Sequence, residues 1–280
     1  MPDAILIRRA KPMLGTIVEI AVDPDSAERI DAAFSAVAHI HRKMSFHDAG
    51  SDLHLLRTLV AGDECAVDPH TMTVLRIAAQ LYRLSGGLFD ITTGLALVRD
   101  GFLPDAGISN LDRYTGTADD IEILADNRVR LRQPVLMDLG GIAKGYAVDQ
   151  AVAALLLAGA QYGIVNAGGD LRVFGAHTAD VQIRGAGLAS PESIRLRDCA
   201  IASSENVHSR YKRGGQTLAP HIDRSGAPVF INETVSVVAS TCVIADGLTK
   251  VAAIDPSLAG RLARPYDGFV VGASIEEVGS

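Results

Sequence analysis

The sequence has few aromatic residues and no basic run. Phe, Tyr and Trp make up 5% of the 280 residues, and tryptophan is absent. Single-stranded nucleic acids are usually bound by stacked aromatic side chains in basic grooves, and a formal net charge of −7 gives no general attraction for a polyanion. We therefore expect no nucleic-acid partner. An anionic ligand would have to be bound locally, by helix ends, single lysines or a metal.

Cysteine is also scarce, and long apolar runs are missing. The three cysteines, Cys65, Cys199 and Cys242, lie far apart and form no C-x-x-C pair, which is typical of reduced, buried thiols. No apolar run approaches the ~18 residues that would suggest a membrane span. The first residues show neither a secretory apolar region nor a lipid-anchor cysteine. We expect no membrane span and a cytoplasmic location, unless a leader was removed.

Several common catalytic motifs do not occur. The sequence has no G-x-S-x-G, no G-x-x-x-x-G-K-[ST], no H-E-x-x-H and no G-x-G-x-x-G. Their absence disfavours an α/β-hydrolase, a P-loop nucleotidase, a zinc protease and a Rossmann enzyme. What is present is a chain with 48% hydrophobic residues, enough for a large core.

The hydrophobic pattern predicts helices and strands in irregular order. Helices are predicted at 26–43 with Ser26 as N-cap, in a short stretch capped by Ser51 or Asp52, at 70–87, from the 141–144 region to about Leu157, and at 243–254. Strands are predicted at 14–22, 121–131 with a turn at Asp126 and Asn127, 163–169, and in DLRVFG and VQIRG, and residues 199–204, 215–230 and 234–240 are expected to continue the β-rich part. Because helices and strands do not alternate regularly, we expect an α+β fold rather than a doubly wound parallel sheet.

The segment DLGGIAKGYAVD (138–149) places two glycines and a lysine at the start of an alanine-rich helix. The positive end of the helix dipole disfavours Lys144 there by a few tenths of a kcal/mol. Gly140 and Gly141 each cost roughly 0.5–1 kcal/mol of backbone entropy. These costs are understandable if an anion lies at this helix end. The alternative is a solvent-facing lysine beside a glycine hinge.

Four stretches combine glycine, a carboxylate and a cation or hydroxyl: GGLFDITTG (86–94), DLGGIAKGYAVD (138–149), LAPHIDRSGAPV (218–229) and STCVIADGLTK (240–250). In this order the sequence resembles the ApbE-like family of FAD:protein FMN transferases. The most specific part is DLGGIAKGYAVD followed about twenty residues later by NAGGD, and the resemblance extends over nearly the whole chain.

The resemblance implies a fold and an activity. The fold would be T-fold-like, with mixed, largely antiparallel sheets packed with helices in two closely associated lobes that form a cleft, and residues 1–280 would be one flavin-transferase domain. The activity would be Mg²⁺-dependent transfer of FMN from FAD to a Thr or Ser hydroxyl of an acceptor redox protein, with release of AMP.

The resemblance also implies a set of FAD contacts. Two members have simple alternatives, since Phe89 could be a core residue and Asp138 a helix N-cap. The implied FAD-binding residues are His47, Leu88, Phe89, Asp90, Asp138, Lys144 and Ile222.

A second set of implied residues concerns catalysis. His221 would take the proton of the acceptor hydroxyl, which suits a neutral imidazole, although a surface-turn histidine is the alternative. Asp246 would act in catalysis and as a metal ligand, together with the Gly141 carbonyl and Thr249. The family pattern has threonine where this chain has Lys250, so the Lys250 ammonium could instead take the metal's place.

Two other functions stay open at this point. The lysine at 250 and the incomplete H-x-x-D-P-x-T-G region around His221 are also compatible with an FAD-binding protein that catalyses no transfer. A metal-dependent FAD pyrophosphatase, which would release FMN and AMP without an acceptor, is a further alternative.

Overall fold

The computed structural model describes residues 5–105, 107–108, 110–183, 192–223 and 225–271. In these ranges the α-helices are α1 Ile30–Met44, α2 Asp52–Thr58, α3 Pro69–Leu84, α4 Gly94–Asp100, α5 Ala143–Leu157, α6 Cys242–Ala252 and α7 Pro256–Ala263. Among the described helices, none combines the length and the hydropathy that a membrane span requires.

The described strands are β1 Ile7–Met13, β2 Thr16–Val22, β3 Glu64–Ala66, β4 Ile121–Ile123, β5 Arg128–Leu131, β6 Tyr162–Ala167, β7 Asp170–Gly175, β8 Thr178–Ile183, β9 Glu192–Arg197, β10 Ala200–Ser204, β11 Tyr211–Arg213, β12 Gln216–Leu218, β13 Val235–Ala239 and β14 Phe269–Val271. Every strand pair among them is antiparallel. The fold is α+β, as expected from the sequence.

The chain divides into two compact units. The first unit consists of the described parts of Met1–His39, Lys144–Glu205 and Ile231–Ser280, and the second of those of Ile40–Ala143 and Asn206–Phe230. The single domain expected over 1–280 stays a prediction.

The first unit is built on a seven-stranded sheet in the order β1-β2-β6-β7-β10-β13-β14. Side chains alternate between its two faces along each strand. On one face, Leu171, Val173 and Ile201 pack with Ile183 and Leu196 of the β8–β9 hairpin. The opposite face carries the polar residues of the candidate site.

Helix α6 packs against β10 and β13 on that opposite face. The residues of these strands that share the face are small, since Ala200, Ala202 and Ala239 are all fully buried there. Small side chains let the helix backbone approach the sheet closely. The charged side chains of α6 are therefore held near the strands.

The second unit contains α2, α3, α4 and the three-stranded sheet β3-β5-β4. Its β4–β5 turn lies at Asp126 and Asn127, both with positive φ (54° and 55°), as tight hairpin turns require. The sequence prediction of this turn is confirmed. The helix after Ser51 is confirmed too, because the Ser51 hydroxyl accepts a hydrogen bond from the His54 N–H at 3.0 Å.

Some predictions were wrong or fell outside the described residues. Ser26 is not a helix N-cap: it lies inside the 3-10 helix Pro24–Arg29, where its hydroxyl accepts a hydrogen bond from Arg29. Helix α1 begins only at Ile30. Helices α4 and α7 were not predicted, since both are short. The end of the VQIRG strand, residues 184–185, lies outside the described residues.

Candidate functional site

Asp246 is the centre of a buried polar cluster in the first unit. It lies on α6 and its side chain is 1% exposed. One carboxylate oxygen, Oδ1, accepts a hydrogen bond from Lys250 Nζ at 3.0 Å, one helical turn further along α6. The other, Oδ2, accepts from the backbone N–H of Gly145 at 3.0 Å. Both oxygens of this carboxylate are therefore hydrogen-bonded within the protein.

The α5–α6 contact depends on the glycine at 145. A Cβ atom at this position would lie 2.4 Å from the Cys242 carbonyl oxygen and 2.8 Å from Asp246 Cβ. Real Cβ atoms do not approach other atoms so closely. The K-G pair of DLGGIAKGYAVD thus brings the first turn of α5 against α6, which places Lys144 beside Asp246.

Lys144 forms a hydrogen-bonded ion pair with Asp170, the last residue of NAGGD and the first of β7. Asp170 is 1% exposed, while about a third of the Lys144 side chain is exposed. The negative group found at this helix end is thus a protein carboxylate. It accounts for a lysine in the first turn of α5, and the expected contact of Lys144 with FAD stays a prediction.

The cluster has four charged side chains, Lys144, Asp170, Asp246 and Lys250, and their charges shift the pKa values of the first three. Burial and the nearby charge of Asp246 raise the pKa of Asp170 to about 6. Burial also opposes the charge of Lys144, but the carboxylates of Asp246 and Asp170 outweigh it and raise the Lys144 pKa. Burial disfavours an ionised Asp246, yet the ammonium groups of Lys250 and Lys144 lower its pKa. Two ammonium groups and two carboxylates leave the ionised cluster neutral.

Asp149 joins α5, α6 and the sheet. Its carboxylate accepts hydrogen bonds from the N–H groups of Cys242 (3.0 Å) and Val243 (2.8 Å), so it caps the start of α6 from another helix. It also pairs with Arg172 of β7 at 2.6 Å. Burial raises the pKa of Asp149, against the effect of Arg172 and the two N–H groups.

In the second unit, the predicted flavin residues of two sequence motifs lie side by side. The Asp138 N–H donates to the Ile91 carbonyl at 2.8 Å, and the Gly94 N–H donates to the Leu136 carbonyl at 3.1 Å. The segment containing Leu88, Phe89 and Asp90 is therefore joined to the segment that leads into DLGG.

The predicted flavin-binding side chains of these two segments differ in burial. Phe89 is buried, 2% exposed, as the core alternative requires. Leu88 and Asp90 are half-buried, and Asp90 closes its own turn by accepting hydrogen bonds from the Thr92 N–H and hydroxyl, both at 2.7 Å. Asp138 is half-buried. A side chain at position 140 would crowd its carboxylate, because an added Cβ atom would lie 3.0 Å from Asp138 Oδ2.

His47 lies in the segment that follows α1. It is exposed, and its ring meets Phe46 edge-on with 6.2 Å between centroids. The exposed side chain is accessible to a ligand, as the stacking that the resemblance implies would require. The stacking itself stays a prediction.

His221 belongs to a defined hydrogen-bond network in the second unit. Asn206 Oδ1 accepts from Arg210 Nε at 2.9 Å, and Asn206 Nδ2 donates to the Val229 carbonyl at 2.7 Å. These two contacts fix the orientation of the amide, because a guanidinium only donates and a carbonyl only accepts. The same Nδ2 lies 3.2 Å from His221 Nδ1, so Nδ1 accepts and the neutral ring carries its hydrogen on Nε2. The next residue, Ile222, forms an isolated bridge with Pro228.

The residues expected to hold a metal have other partners in this arrangement. The Thr249 hydroxyl donates to the Asp246 carbonyl at 2.7 Å and contacts Ser204 Oγ at 2.7 Å. Lys250 Nζ lies among these oxygens. Gly141, the third expected ligand, belongs to the second unit. A metal at Asp246 Oδ1 would have to displace the lysine, so these side chains do not fit a metal ion as they stand.

The sequence indicated no role for several residues of these networks, among them Asp149, Asp170, Ser204 and Asn206. Two of them had a signal. Asp149 ends DLGGIAKGYAVD and Asp170 ends NAGGD, so each carboxylate lies in the most specific motif pair. Ser204 and Asn206 lie in ordinary sequence, and only the three-dimensional arrangement identifies them.

Comparisons with known proteins identify the family of this chain. The ApbE family model matches residues 14–266. A Rhodobacter capsulatus protein named FAD:protein FMN transferase is 30% identical over 256 residues, 84% of this chain and 48% of that protein. A Vibrio cholerae protein of the same name is 27% identical over 75% of this chain and 68% of its own length. The chain thus spans about half the length of the Rhodobacter relative.

Solved structures show the same fold. The ApbE protein of Thermotoga maritima superposes with a TM-score of 0.81 at 26% identity and covers 96% of both chains. The apo flavinyl transferase ApbE of Pseudomonas stutzeri gives a TM-score of 0.81 at 21% identity, covering 96% of this chain and 91% of that one.

The α+β fold is that of the solved ApbE structures. This chain belongs to the ApbE family.

Proposed function

We propose that this chain is an FAD:protein FMN transferase. The observation that carries the proposal is the family match over residues 14–266, which includes all four glycine- and carboxylate-containing motifs. The names of the relatives from Rhodobacter capsulatus and Vibrio cholerae support it.

The proposed reaction transfers FMN to a Thr or Ser hydroxyl of an acceptor protein. The hydroxyl oxygen forms a bond to the phosphorus of the FMN half of FAD, and the bond from that phosphorus to the bridging oxygen breaks. AMP leaves with the bridging oxygen, and the hydroxyl proton passes to a base. Catalysis of such a step depends on positioning the reactants and on stabilising the phosphate charges.

The chain offers cationic groups and backbone donors for these charges. Lys144 is the most exposed of the four charged side chains of the buried cluster, and it lies at the N-terminal end of α5, where backbone N–H groups also attract an anion. Leu88, Phe89, Asp90, Asp138 and Ile222 would contact the rest of FAD, and His47 would stack on its ring system. Mg²⁺ was expected from the resemblance, but it is assigned no step because the side chains around Asp246 do not fit a metal in their present arrangement.

His221 has two candidate roles, the base that the resemblance implies and a hydrogen-bond donor. To take a proton on Nε2 it would need the opposite tautomer, with hydrogen on Nδ1, and the Asn206 amide would have to turn away from Nδ1. In its present tautomer, Nε2–H is a hydrogen-bond donor. This contact favours a second role, in which His221 donates to a phosphate or hydroxyl oxygen instead of accepting the proton.

The test is to incubate the purified protein with FAD and a threonine-containing acceptor peptide, and to separate the products by chromatography. The proposal predicts AMP and a peptide carrying FMN. FMN and AMP without acceptor modification would indicate a pyrophosphatase, and intact bound FAD would indicate a binding protein. Asp246→Ala should abolish transfer, because it removes the carboxylate that holds Lys250 and the start of α5; transfer that survives this change would contradict the assignment of Asp246.

A further inference from the structure

The Lys250 ammonium lies in a pocket of oxygen atoms, here called the oxygen cage, formed by Asp246, Thr249 and Ser204. Lys250 Nζ lies 3.0 Å from Asp246 Oδ1, 2.9 Å from Thr249 Oγ1 and 2.9 Å from Ser204 Oγ. The Asp246 carbonyl oxygen is further away, at 3.5 Å. An ammonium group has three N–H donors, and the three nearest oxygens match them one to one.

The oxygens of the cage are themselves satisfied. Thr249 Oγ1 donates to the Asp246 carbonyl, so the hydroxyl contact of 2.7 Å between Thr249 and Ser204 has Ser204 as its donor. Thr249 Oγ1 then accepts from both Ser204 and Lys250, which uses its two lone pairs. Thr249 and Asp246 are 0% and 1% exposed. The lysine therefore completes a closed hydrogen-bond network in a buried site.

This arrangement resembles a cation site with an ammonium in place of a metal ion. Carboxylate, hydroxyl and carbonyl oxygens are also the donors that Mg²⁺ prefers, at about 2.0–2.1 Å, whereas the distances of 2.9–3.0 Å found here are those of N–H···O hydrogen bonds. Lys250 reaches the cage because it lies one turn after Asp246 on α6, an acid-to-base order that also stabilises the helix.

We propose that Lys250 is the resident cation of the oxygen cage and that this chain takes no divalent metal at Asp246. The inference concerns cation binding; its relevance to catalysis rests on the proposed transferase function. A single fixed charge has no open coordination positions, so it can neutralise a neighbouring anion but cannot polarise a phosphoryl oxygen as a metal does.

The test measures Mn²⁺ binding directly, by the loss of the free Mn²⁺ electron paramagnetic resonance signal, without FAD. The wild-type protein should show no stoichiometric uptake that depends on Asp246. Lys250→Thr, which opens the cage and adds a hydroxyl, should bind one Mn²⁺ per chain, with an affinity at least tenfold higher than that of any Mn²⁺ binding by the wild type. Lys250→Thr combined with Asp246→Asn should lose that site. The matched control is Lys212→Thr, the same change at an exposed lysine of β11, which should behave like the wild type.

Two outcomes would overturn the proposal. One is stoichiometric Mn²⁺ uptake by the wild type that Asp246→Asn abolishes, since the lysine would then give way to a metal. The other is a folded Lys250→Thr variant that binds no Mn²⁺, because the cage would then not be a cation site. If Lys250→Thr does not fold, the comparison of wild type with Asp246→Asn still decides the question. A failure of FAD binding or AMP release alongside the expected Mn²⁺ results would reject the proposed function and leave this inference standing.

Discussion

The backbone N–H of Gly145 donates a hydrogen bond to the Asp246 carboxylate over 3.0 Å. This contact joins the start of α5 to α6, and it brings the lysine of DLGGIAKGYAVD to the aspartate of STCVIADGLTK. The two motifs are separated by about a hundred residues in sequence, yet they form one buried cluster in the first unit.

Replacing Gly145 tests how closely the two helices approach. Gly145→Ala would place a methyl group 2.4 Å from a backbone carbonyl, so the helices would have to separate. We expect a loss of about 1–3 kcal/mol in the free energy of unfolding, measured by urea denaturation. The control is Gly260→Ala on α7, where an added Cβ would meet no described atom within 4 Å apart from its chain neighbours and its own helix backbone, and alanine should stabilise by about 0.5–1 kcal/mol. Equal effects at the two positions would contradict the close contact.

Asp149→Asn tests the capping of α6 by another helix. The variant removes the charge that faces Arg172 and weakens the acceptor of two N–H groups, so we expect a loss of about 1.5–3 kcal/mol, again from urea denaturation. Asp180→Asn provides the comparison, because Asp180 pairs with Arg195 on the exposed face of the β8–β9 hairpin. Its denaturation midpoint should be unchanged. A midpoint for Asp149→Asn that equals the wild-type value would exclude the capping role.

The raised pKa of Asp170 makes a prediction for stability against pH. The pKa of this carboxyl group is about 6 in the folded protein, against an ordinary pKa of 3.8. Between these values the folded state binds more protons than the unfolded state, so this group's contribution to stability falls as pH rises. Relative to Asp170→Asn, which cannot titrate, the wild type should lose stability from pH 4 to pH 7. Parallel profiles of the two proteins would contradict the assignment.

The three cysteines should differ in reactivity. Cys242 is fully buried, and burial together with the charges of Asp170, Asp149 and Asp246 raises its pKa well above the usual range. Cys65 and Cys199 are half-buried with pKa values also raised by burial. Native-state alkylation followed by peptide mass mapping should label Cys65 and Cys199 slowly, and faster as pH rises, and Cys242 only after unfolding. Early labelling of Cys242 would show that the α5–α6 contact opens readily.

His221→Gln separates the two roles of the histidine. Glutamine can donate a hydrogen bond but cannot take a proton at neutral pH. If His221 is the base, the variant should lose transfer at least a hundredfold. A variant with near-normal rate would instead support the donor role that the Asn206 contact favours.

Much of the fold could be predicted because its signals are local. The Asp126–Asn127 turn, the Ser51 cap and the glycine stop of α3 at Gly86 and Gly87 each depend on a few neighbouring residues. Ser26 failed as a cap because the preceding Pro24 starts a 3-10 helix earlier in the chain. Short helices such as α4 gave too few periodic positions to recognise.

The candidate site could be predicted only in part, since its partners come from distant segments. The sequence singled out Lys144 and Asp246, but nothing local indicated that Asp170 would be the partner of Lys144. Lys250 was recognised as an alternative to a metal from its spacing to Asp246. The third oxygen of the cage, from Ser204, depends on the packing of α6 against β10.

We expect Lys144 to bind the pyrophosphate of FAD, and titration with FAD followed by flavin fluorescence measures this binding. The wild type should take up one FAD per chain saturably, with at least tenfold weaker binding for Lys144→Ala, near-normal binding for Lys144→Arg, and weaker binding of FMN, which lacks the second phosphate. Absence of saturation, or equal affinity of the wild type and Lys144→Ala, would contradict it.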